Sequence, residues 1–159
     1  MTRLFQLIPA GLRKRLFHIA ILLLRPMTLG VRILAITENG EVVLVKHTYV
    51  TGWSLPGGGV ERGETVLDAA VKELREETGF EPVSTPHLHQ IYLNELASPR
   101  DHVALLVATV RPGPEPFRPN REIAEMETFS PDALPGDTMA ATRKRIAEVL
   151  DGLPPAEHW

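Results

Sequence analysis

The chain has 159 residues, of which 43% are hydrophobic and 23% are charged, so we expect one folded domain and exclude a disordered chain. The formal net charge of −3 is unevenly spread: residues 1–32 hold six basic and no acidic residues, which leaves −9 on the remainder. An acidic body disfavours nucleic acid as a partner. The absence of cysteine excludes disulfides and thiolate chemistry and suits the cytoplasmic location that we expect.

The first predicted element is a basic amphipathic helix within residues 1–27, which begins near Pro9, a residue favoured in a first helical turn. Its apolar stripe recurs at helical spacing and consists of Leu12, Leu16, Ile19, Ala20 and Leu23. The uncharged run of nine residues, 16–24, is too short for a membrane span, which needs about 20. We expect the helix to dock on the domain or on a second subunit. A peripheral membrane contact and a homodimer stay open as alternatives.

Extended segments follow the helix. The segments "VRILAIT" and "EVVLVK" flank Asn39-Gly40, a dipeptide that tolerates positive φ and predicts a hairpin. A third extended piece, "YVTGWSLP", leads into a glycine-rich stretch and a helix. Beyond that helix, "HLHQIYL" and "HVALLVATV" are predicted strands, and the second is an apolar run typical of a strand covered on both faces.

The C-terminal part is predicted to contain a proline-rich loop, "RPGPEPFRPNR", a short strand, "AEMETF", and a helix over about Thr138–Leu150. Gly152 and Pro154 are placed to end that helix. The order of strands, helix, strands and helix predicts an α+β fold, a sandwich with a mixed β-sheet. We assign this domain to residues 28–151 and treat residues 152–159 as a C-terminal tail.

The central helix is predicted from near Thr65, a capping residue, to Gly79, which can end it in a left-handed conformation. Glu73, Glu76 and Glu77 are i, i+3 and i+4 neighbours on one of its faces. Each such pair of like charges costs about 0.2–0.5 kcal/mol, so a solvated acidic face remains one interpretation. The other is a site for a hard divalent cation such as Mg²⁺, which prefers carboxylate oxygens.

The stretch from Gly58 to Phe80 resembles the Nudix box: a glycine, five residues, Glu, seven residues, then Arg-Glu-aliphatic-x-Glu-Glu-x-Gly-aliphatic. The positions that match are Gly58, Glu64, Glu73, Leu74, Glu76, Glu77 and Gly79. Phe80 is a hydrophobic near-match, and Lys72 stands where the family normally has Arg. The preceding "GWSLPGG" also resembles the usual lead-in. The resemblance implies the family's α/β/α sandwich over residues 28–151.

The resemblance also implies an activity, the hydrolysis of a nucleoside diphosphate linked to another group X, with Mg²⁺ or Mn²⁺. Carried over by position, Glu73, Glu76 and Glu77 would bind the metal, and Glu73 would also orient or deprotonate the attacking water. A carbonyl of Gly57 or Gly58 would complete the metal shell. The residues that would support the site are Gly58, Glu64 and Lys72.

A further catalytic acid is expected outside the box, and Glu122 is the first choice, ahead of Glu125 and Glu95. Trp53, which could stack on a base, and His47 are the candidate substrate contacts. Weaker candidates for sugar or phosphate contacts are Tyr49, Arg100 and His102.

The secondary markers of the subfamilies are absent, so the group X stays open among nucleotide sugars, dinucleotides and nucleoside triphosphates. Two alternatives to a nucleotide hydrolase also remain. One is a catalytically weak or inactive Nudix-type module that binds a nucleotide to regulate a partner. The other is a membrane-recruited hydrolase of a lipid-linked diphosphate, which the basic N-terminal helix suggests.

Replacement of Lys72 with arginine tests the departure from the family pattern. Lysine keeps the charge but lacks the planar fork with which arginine holds a carboxylate through two hydrogen bonds. We expect weakened but retained activity in the natural chain, so Lys72→Arg should match or exceed its kcat/KM. A large loss of kcat/KM in that variant would contradict this role for Lys72.

Overall fold

The computed structural model of the protein describes residues 9–24 and 26–159. Within these residues the α-helices are α1 (Ala10–Leu24), α2 (Val66–Thr78) and α3 (Ala140–Leu150). The strands are β1 (Thr28–Thr37), β2 (Val42–His47), β3 (Trp53–Ser54), β4 (Phe80–Pro82), β5 (His87–Leu93), β6 (Asp101–Pro112) and β7 (Ile123–Phe129). A short 3-10 helix covers Pro131–Ala133.

The strands form one seven-stranded mixed sheet in the order β3-β2-β1-β6-β4, with β5 also paired to β6 and β7 to β2. Strands β1 and β6 run parallel over ten residue pairs, from Thr28 with Asp101 to Thr37 with Val110. The other strand pairs are antiparallel. The mixed sheet confirms the predicted fold class. Strand β4, which the sequence analysis does not predict, extends the sheet by three residues beside β6.

Side chains of the central strands alternate between two separate cores, as the two-residue period of a strand requires. On one face the sheet packs against α2 in a cluster that includes Ile33, Val43 and Leu74. On the other face Leu34 belongs to a second cluster, which includes Ile146 of α3. The sheet therefore lies between two helical layers, which confirms the predicted α/β/α sandwich.

Helix α1 exposes the apolar stripe that the sequence predicts. Leu12, Leu16 and Ile19 are 49%, 45% and 53% exposed, so the domain does not cover these side chains. Leu23 belongs to the same predicted stripe, but its side chain lies outside the described residues. None of the helices in residues 9–24 and 26–159 is long and apolar enough to cross a membrane. Contact with a second subunit or with a membrane surface stays a prediction.

The C-terminal segment 152–159 packs against the sheet. The Leu93 N–H donates to the Glu157 carbonyl (2.9 Å), and the Trp159 N–H donates to the Leu93 carbonyl (3.0 Å). The Trp159 ring meets the Tyr92 ring edge-on, with centroids 5.5 Å apart. The buried guanidinium of Arg145 lies 5.6 Å from the centre of the Trp159 ring. The segment therefore closes one edge of the second core.

Replacement of Trp159 with alanine should destabilise the fold, because its half-buried ring packs against the second core. We expect the free energy of unfolding to fall by about 2 kcal/mol, less than for a fully buried tryptophan. Urea denaturation would measure the change. Leu153→Ala is the control, since Leu153 is 49% exposed and should cost no more than about 0.5 kcal/mol. Equal losses in the two variants would contradict the packing role of Trp159.

Candidate metal and catalytic site

Helix α2 carries the acidic residues of the candidate site, and its ends are those that the sequence predicts. The Thr65 hydroxyl accepts a hydrogen bond from the Asp68 N–H (3.1 Å) at the start of the helix. Gly79 ends the helix in the left-handed conformation, with φ of 71°. Glu77 lies one turn after Leu74, which packs against the sheet, so Glu77 is buried while Glu76 is exposed.

The glycine-rich loop that precedes α2 lies along β1. The Val31 N–H donates to the Gly58 carbonyl (2.8 Å), and the Ile33 N–H donates to the Pro56 carbonyl (2.9 Å). Gly57 has φ of 143°, and a Cβ atom added there would lie 2.1 Å from the Val31 carbonyl oxygen. Only glycine fits this approach, so the loop is held flush with β1 and close to α2.

Glu77 joins α2 to this loop. Its Oε2 atom accepts a hydrogen bond from the Gly57 N–H (2.8 Å), and its side chain is only 5% exposed. Burial raises the pKa of Glu77 to about 7, although the Gly57 hydrogen bond and the nearby Arg32 charge act in the opposite direction. Ionised Glu77 therefore lacks full compensation within the protein, and a cation beside it would stabilise the charged form.

Arg32, on β1, holds the glycine-rich loop beside the candidate site, and the sequence analysis does not identify it. Its Nη1 atom donates to the carbonyls of Gly57 (2.7 Å) and Leu55 (3.0 Å). One lone pair of the Gly57 carbonyl, a predicted metal ligand, is therefore already engaged. No sequence pattern marks Arg32, because its role depends on the loop lying beside β1.

His47 lies at the end of β2, with its Nε2 atom 4.0 Å from Oε1 of Glu77. It is 7% exposed, and neither ring nitrogen has a hydrogen-bond partner among residues 9–24 and 26–159. Burial lowers the pKa of His47, and the positive charge of Arg32 acts in the same direction. A neutral imidazole therefore faces the Glu77 carboxyl group.

Glu122 is held beside His47 by the loop that enters β7. The Asn120 side-chain oxygen accepts hydrogen bonds from the N–H groups of Glu122 and Ile123, both at 2.8 Å. The Glu122 carbonyl accepts a hydrogen bond from the Thr48 N–H (2.8 Å), which ties the loop to the end of β2. The exposed Glu122 side chain is thereby placed across from α2.

An open cleft of about 340 Å³ separates α2 from this loop. Its lining includes all four predicted catalytic carboxylates, Glu73, Glu76, Glu77 and Glu122. The second and third choices for the acid outside the box lie elsewhere. Glu125 pairs with Lys46 (3.6 Å) and Glu95 with His158 (3.3 Å).

Gly58 and Lys72 constrain the Glu73 side chain. A Cβ atom added at Gly58 would lie 2.8 Å from the Glu73 carboxyl carbon. The Lys72 ammonium lies 3.6 Å from Glu73 and 3.1 Å from Glu64, which also accepts the Glu61 N–H (2.9 Å). Burial raises the pKa of Glu73, and Lys72 partly offsets that effect. The single positive charge of Lys72 therefore lies between the carboxyl groups of Glu64 and Glu73.

Trp53, a predicted substrate contact, is 5% exposed and belongs to the second core. Its ring meets the Phe129 ring edge-on, with centroids 4.9 Å apart. His47, the other predicted contact, lines an open cleft of about 520 Å³ together with Tyr49, whose side chain is 68% exposed. Both residues are buried, but His47 lines this cleft, whereas the Trp53 ring packs within the second core.

Three side chains beside the cleft offer donor atoms that one divalent cation could share. One nitrogen of His47 and one carboxylate oxygen each from Glu77 and Glu122 lie within 4.8 Å of one another. Ligand atoms bound at about 2.1 Å to one ion are at most about 4.2 Å apart. Because the Glu122 side chain is exposed, its rotation can bring a carboxylate oxygen closer to the other two donor atoms.

The sandwich fold, with box glutamates gathered in a cleft beside a glycine loop, defines a hydrolase of phosphorus anhydrides. The chain belongs to the Nudix family, because the NUDIX domain model matches residues 26–150. The family membership predicted from the Nudix box is therefore confirmed.

Individual relatives carry several activities in their names. The chain is 28% identical over 125 residues (79% of this chain, 81% of the relative) to the "Putative 8-oxo-dGTP diphosphatase" of Bacillus subtilis. It is 32% identical over 103 residues to the ADP-ribose pyrophosphatase of Methanocaldococcus jannaschii, covering 63% of this chain and 60% of that protein. The MutT NUDIX hydrolase of Burkholderia pseudomallei shares the fold, with a TM-score of 0.63 and 24% identity over 77% of this chain and 97% of that one.

Gly58→Ala should disturb the site without disturbing the fold. The added methyl group would meet only the flexible end of Glu73, which must move away from its position in the cleft. We expect kcat/KM to fall about tenfold or more, because small misplacements of a catalytic group are costly, while the melting temperature stays close to that of the natural chain. Gly59→Ala is the matched control, since a Cβ atom there meets nothing within 4 Å. Equal activity in the two variants would contradict this role of Gly58.

The raised pKa of Glu77 predicts a pH dependence of stability in the metal-free protein. A carboxyl group whose pKa rises from its ordinary 4.5 to about 7 on folding binds more protons in the folded state between those values. Stability should therefore fall as the pH rises through this window. From pH 5 to pH 8, in the presence of a chelator, the natural chain should lose on the order of 2 kcal/mol more than Glu77→Gln. Urea denaturation of both proteins would measure the difference, and parallel pH profiles would contradict it.

Proposed function

We propose that the chain hydrolyses the pyrophosphate bond of a nucleoside diphosphate linked to another group, with Mg²⁺ or Mn²⁺ as cofactor. The observation that carries this proposal is the convergence of Glu73, Glu76, Glu77 and Glu122 on one cleft. Three of these residues belong to one helix, whereas Glu122 comes from a loop 45 residues after Glu77. A merely solvated helix face would not require the distant fourth carboxylate.

The four carboxylates would have two different roles, metal binding and proton transfer, according to their surroundings. Glu76, Glu77 and Glu122 supply oxygen ligands of the kind that hard divalent cations prefer. Such a cation neutralises charge on the diphosphate and lowers the pKa of a bound water molecule. Glu73 is the candidate proton acceptor, because burial raises the pKa of its carboxyl group towards neutrality. Lys72, which contacts Glu73 and Glu64, would hold Glu73 in position.

The nucleoside part of the substrate would occupy the neighbouring cleft of about 520 Å³. The exposed ring of Tyr49 offers a face on which a base can stack. Trp53 is left out of this proposal, because its ring is buried against Phe129. Relatives named for 8-oxo-dGTP, ADP-ribose and RNA show that the family's substrates differ widely, so the group X stays open among nucleotide sugars, dinucleotides and nucleoside triphosphates.

A panel of nucleotide sugars, dinucleotides and nucleoside triphosphates would test the function, with phosphate release measured after coupled phosphatase or pyrophosphatase treatment. We expect turnover that depends on Mg²⁺ or Mn²⁺ and falls about 100-fold or more in Glu76→Gln and Glu77→Gln. Glu95→Gln is the control, because Glu95 lies outside the cleft, and it should keep its activity.

Two outcomes would overturn the hydrolase proposal. Turnover that survives in both glutamine variants would show that the cleft does not carry the reaction. Absence of turnover on every substrate, with nucleotide binding still detected by calorimetry, would instead identify a regulatory nucleotide-binding module.

A further inference from the structure

His47 is a predicted site residue with two buried polar atoms that the carboxylate site described above does not use. Both of its ring nitrogens lack a hydrogen-bond partner in the described part of the chain, although 93% of the residue's surface is buried. A buried polar group without a partner destabilises the folded state, because it loses its hydrogen bonds to water and gains none in return. Such groups in folded proteins usually have an ion, a water molecule or a ligand as partner.

The backbone places His47 beside the end of β7 that follows Glu122. The β2–β7 register shifts between Lys46 and His47, which brings His47 opposite Ile123. Irregularities of this kind re-aim a side chain next to functional sites. The next residue, Thr48, holds the neighbouring loop in place with two hydrogen bonds. Its N–H donates to the Glu122 carbonyl (2.8 Å), and its hydroxyl donates to the Arg121 carbonyl (2.8 Å).

The distance between His47 and Glu77 excludes a direct hydrogen bond but fits a shared ion. Nε2 of His47 and Oε1 of Glu77 are 4.0 Å apart, beyond the usual limit of about 3.2 Å for such a bond. Two ligands of one metal ion, each bound at about 2.1 Å, can be separated by as much as about 4.2 Å. The second oxygen of Glu77, Oε2, already accepts the Gly57 N–H, so Oε1 is the oxygen that would bind an ion.

We propose that His47 is a nitrogen ligand of a divalent transition-metal ion that Glu77 and Glu122 bind through carboxylate oxygens. This inference rests on the proposed function only in placing a cation in the same cleft. It deepens that proposal by naming the ion's class. Mg²⁺ prefers oxygen ligands, whereas imidazole nitrogen suits first-row transition metals such as Zn²⁺ and Fe²⁺, and Mn²⁺ stands at the weak end of that same series. The site should therefore bind Mn²⁺ in preference to Mg²⁺.

Pulsed electron paramagnetic resonance on the chelator-stripped full chain, loaded with less than one equivalent of Mn²⁺, tests this ligand directly. We expect modulation from a ¹⁴N nucleus coupled to Mn²⁺, which is lost in His47→Gln. His87→Gln is the matched control, because His87 is an exposed histidine on β5, and it should retain the coupling. Calorimetry should show that His47→Gln weakens Mn²⁺ binding about tenfold or more and changes Mg²⁺ binding less than about threefold.

Labelling of all histidines with ¹⁵N gives a second test that does not depend on the folding of a variant. A histidine ligand requires the ¹⁴N modulation to be replaced by ¹⁵N coupling in the otherwise natural chain. Absence of nitrogen coupling to bound Mn²⁺, or unchanged coupling in His47→Gln, would overturn the proposal.

These readouts are independent of turnover, so the two proposals fail separately. Nitrogen coupling without hydrolysis of any substrate in the panel would uphold the His47 ligand and reject the hydrolase. Metal-dependent hydrolysis without nitrogen coupling would uphold the hydrolase and reject the His47 ligand.

Discussion

The hydrogen bond from the Gly57 N–H to the buried Glu77 carboxylate is the interaction on which the candidate site depends. It fastens the glycine loop to α2, while Arg32 fastens the same loop to β1 through the Gly57 carbonyl. The interaction also keeps an acidic group out of water with little compensating charge, which is costly. The folded chain therefore holds a destabilising group at the place where a cation would be useful, a trade of stability for function that is common at active sites.

The local parts of the fold could be predicted from the sequence. Helix α2 was predicted with its ends because Thr65 and Gly79 are capping residues and its apolar spacing is helical, and the hairpin at Asn39-Gly40 follows from turn chemistry. Strand β4 was missed because its three residues gain their hydrogen bonds only from β6, far along the chain. The contacts of segment 152–159 with β5 are not predictable for a similar reason, since its own residues carry no signal for them.

In the candidate site, too, local features can be predicted from the sequence, whereas features that depend on distant parts of the chain cannot. The spacing of Glu73, Glu76 and Glu77 is a property of one helix, whereas the choice of Glu122 over Glu125 depends on strand pairing. Glu125 lies directly across from Lys46 in the β2–β7 ladder and forms an ion pair with it. Glu122 precedes β7, in the loop that faces α2. The sequence ranks Glu122 first, but the physical reason for that rank, and the inward orientation of Trp53, depend on the register of the sheet.

The parallel pairing of β1 with β6 has a consequence for how the chain folds. Each pair in this ladder joins residues 73 positions apart, as for Thr28 and Asp101. Closing so long a stretch costs chain entropy before the contacts repay it, and such topologies fold slowly. The glycine loop, α2 and the end of β2 all lie inside the closed stretch, whereas Glu122 lies outside it. A nascent chain must therefore extend beyond β6, and as far as Glu122, before it can bring together all the groups that would share an ion.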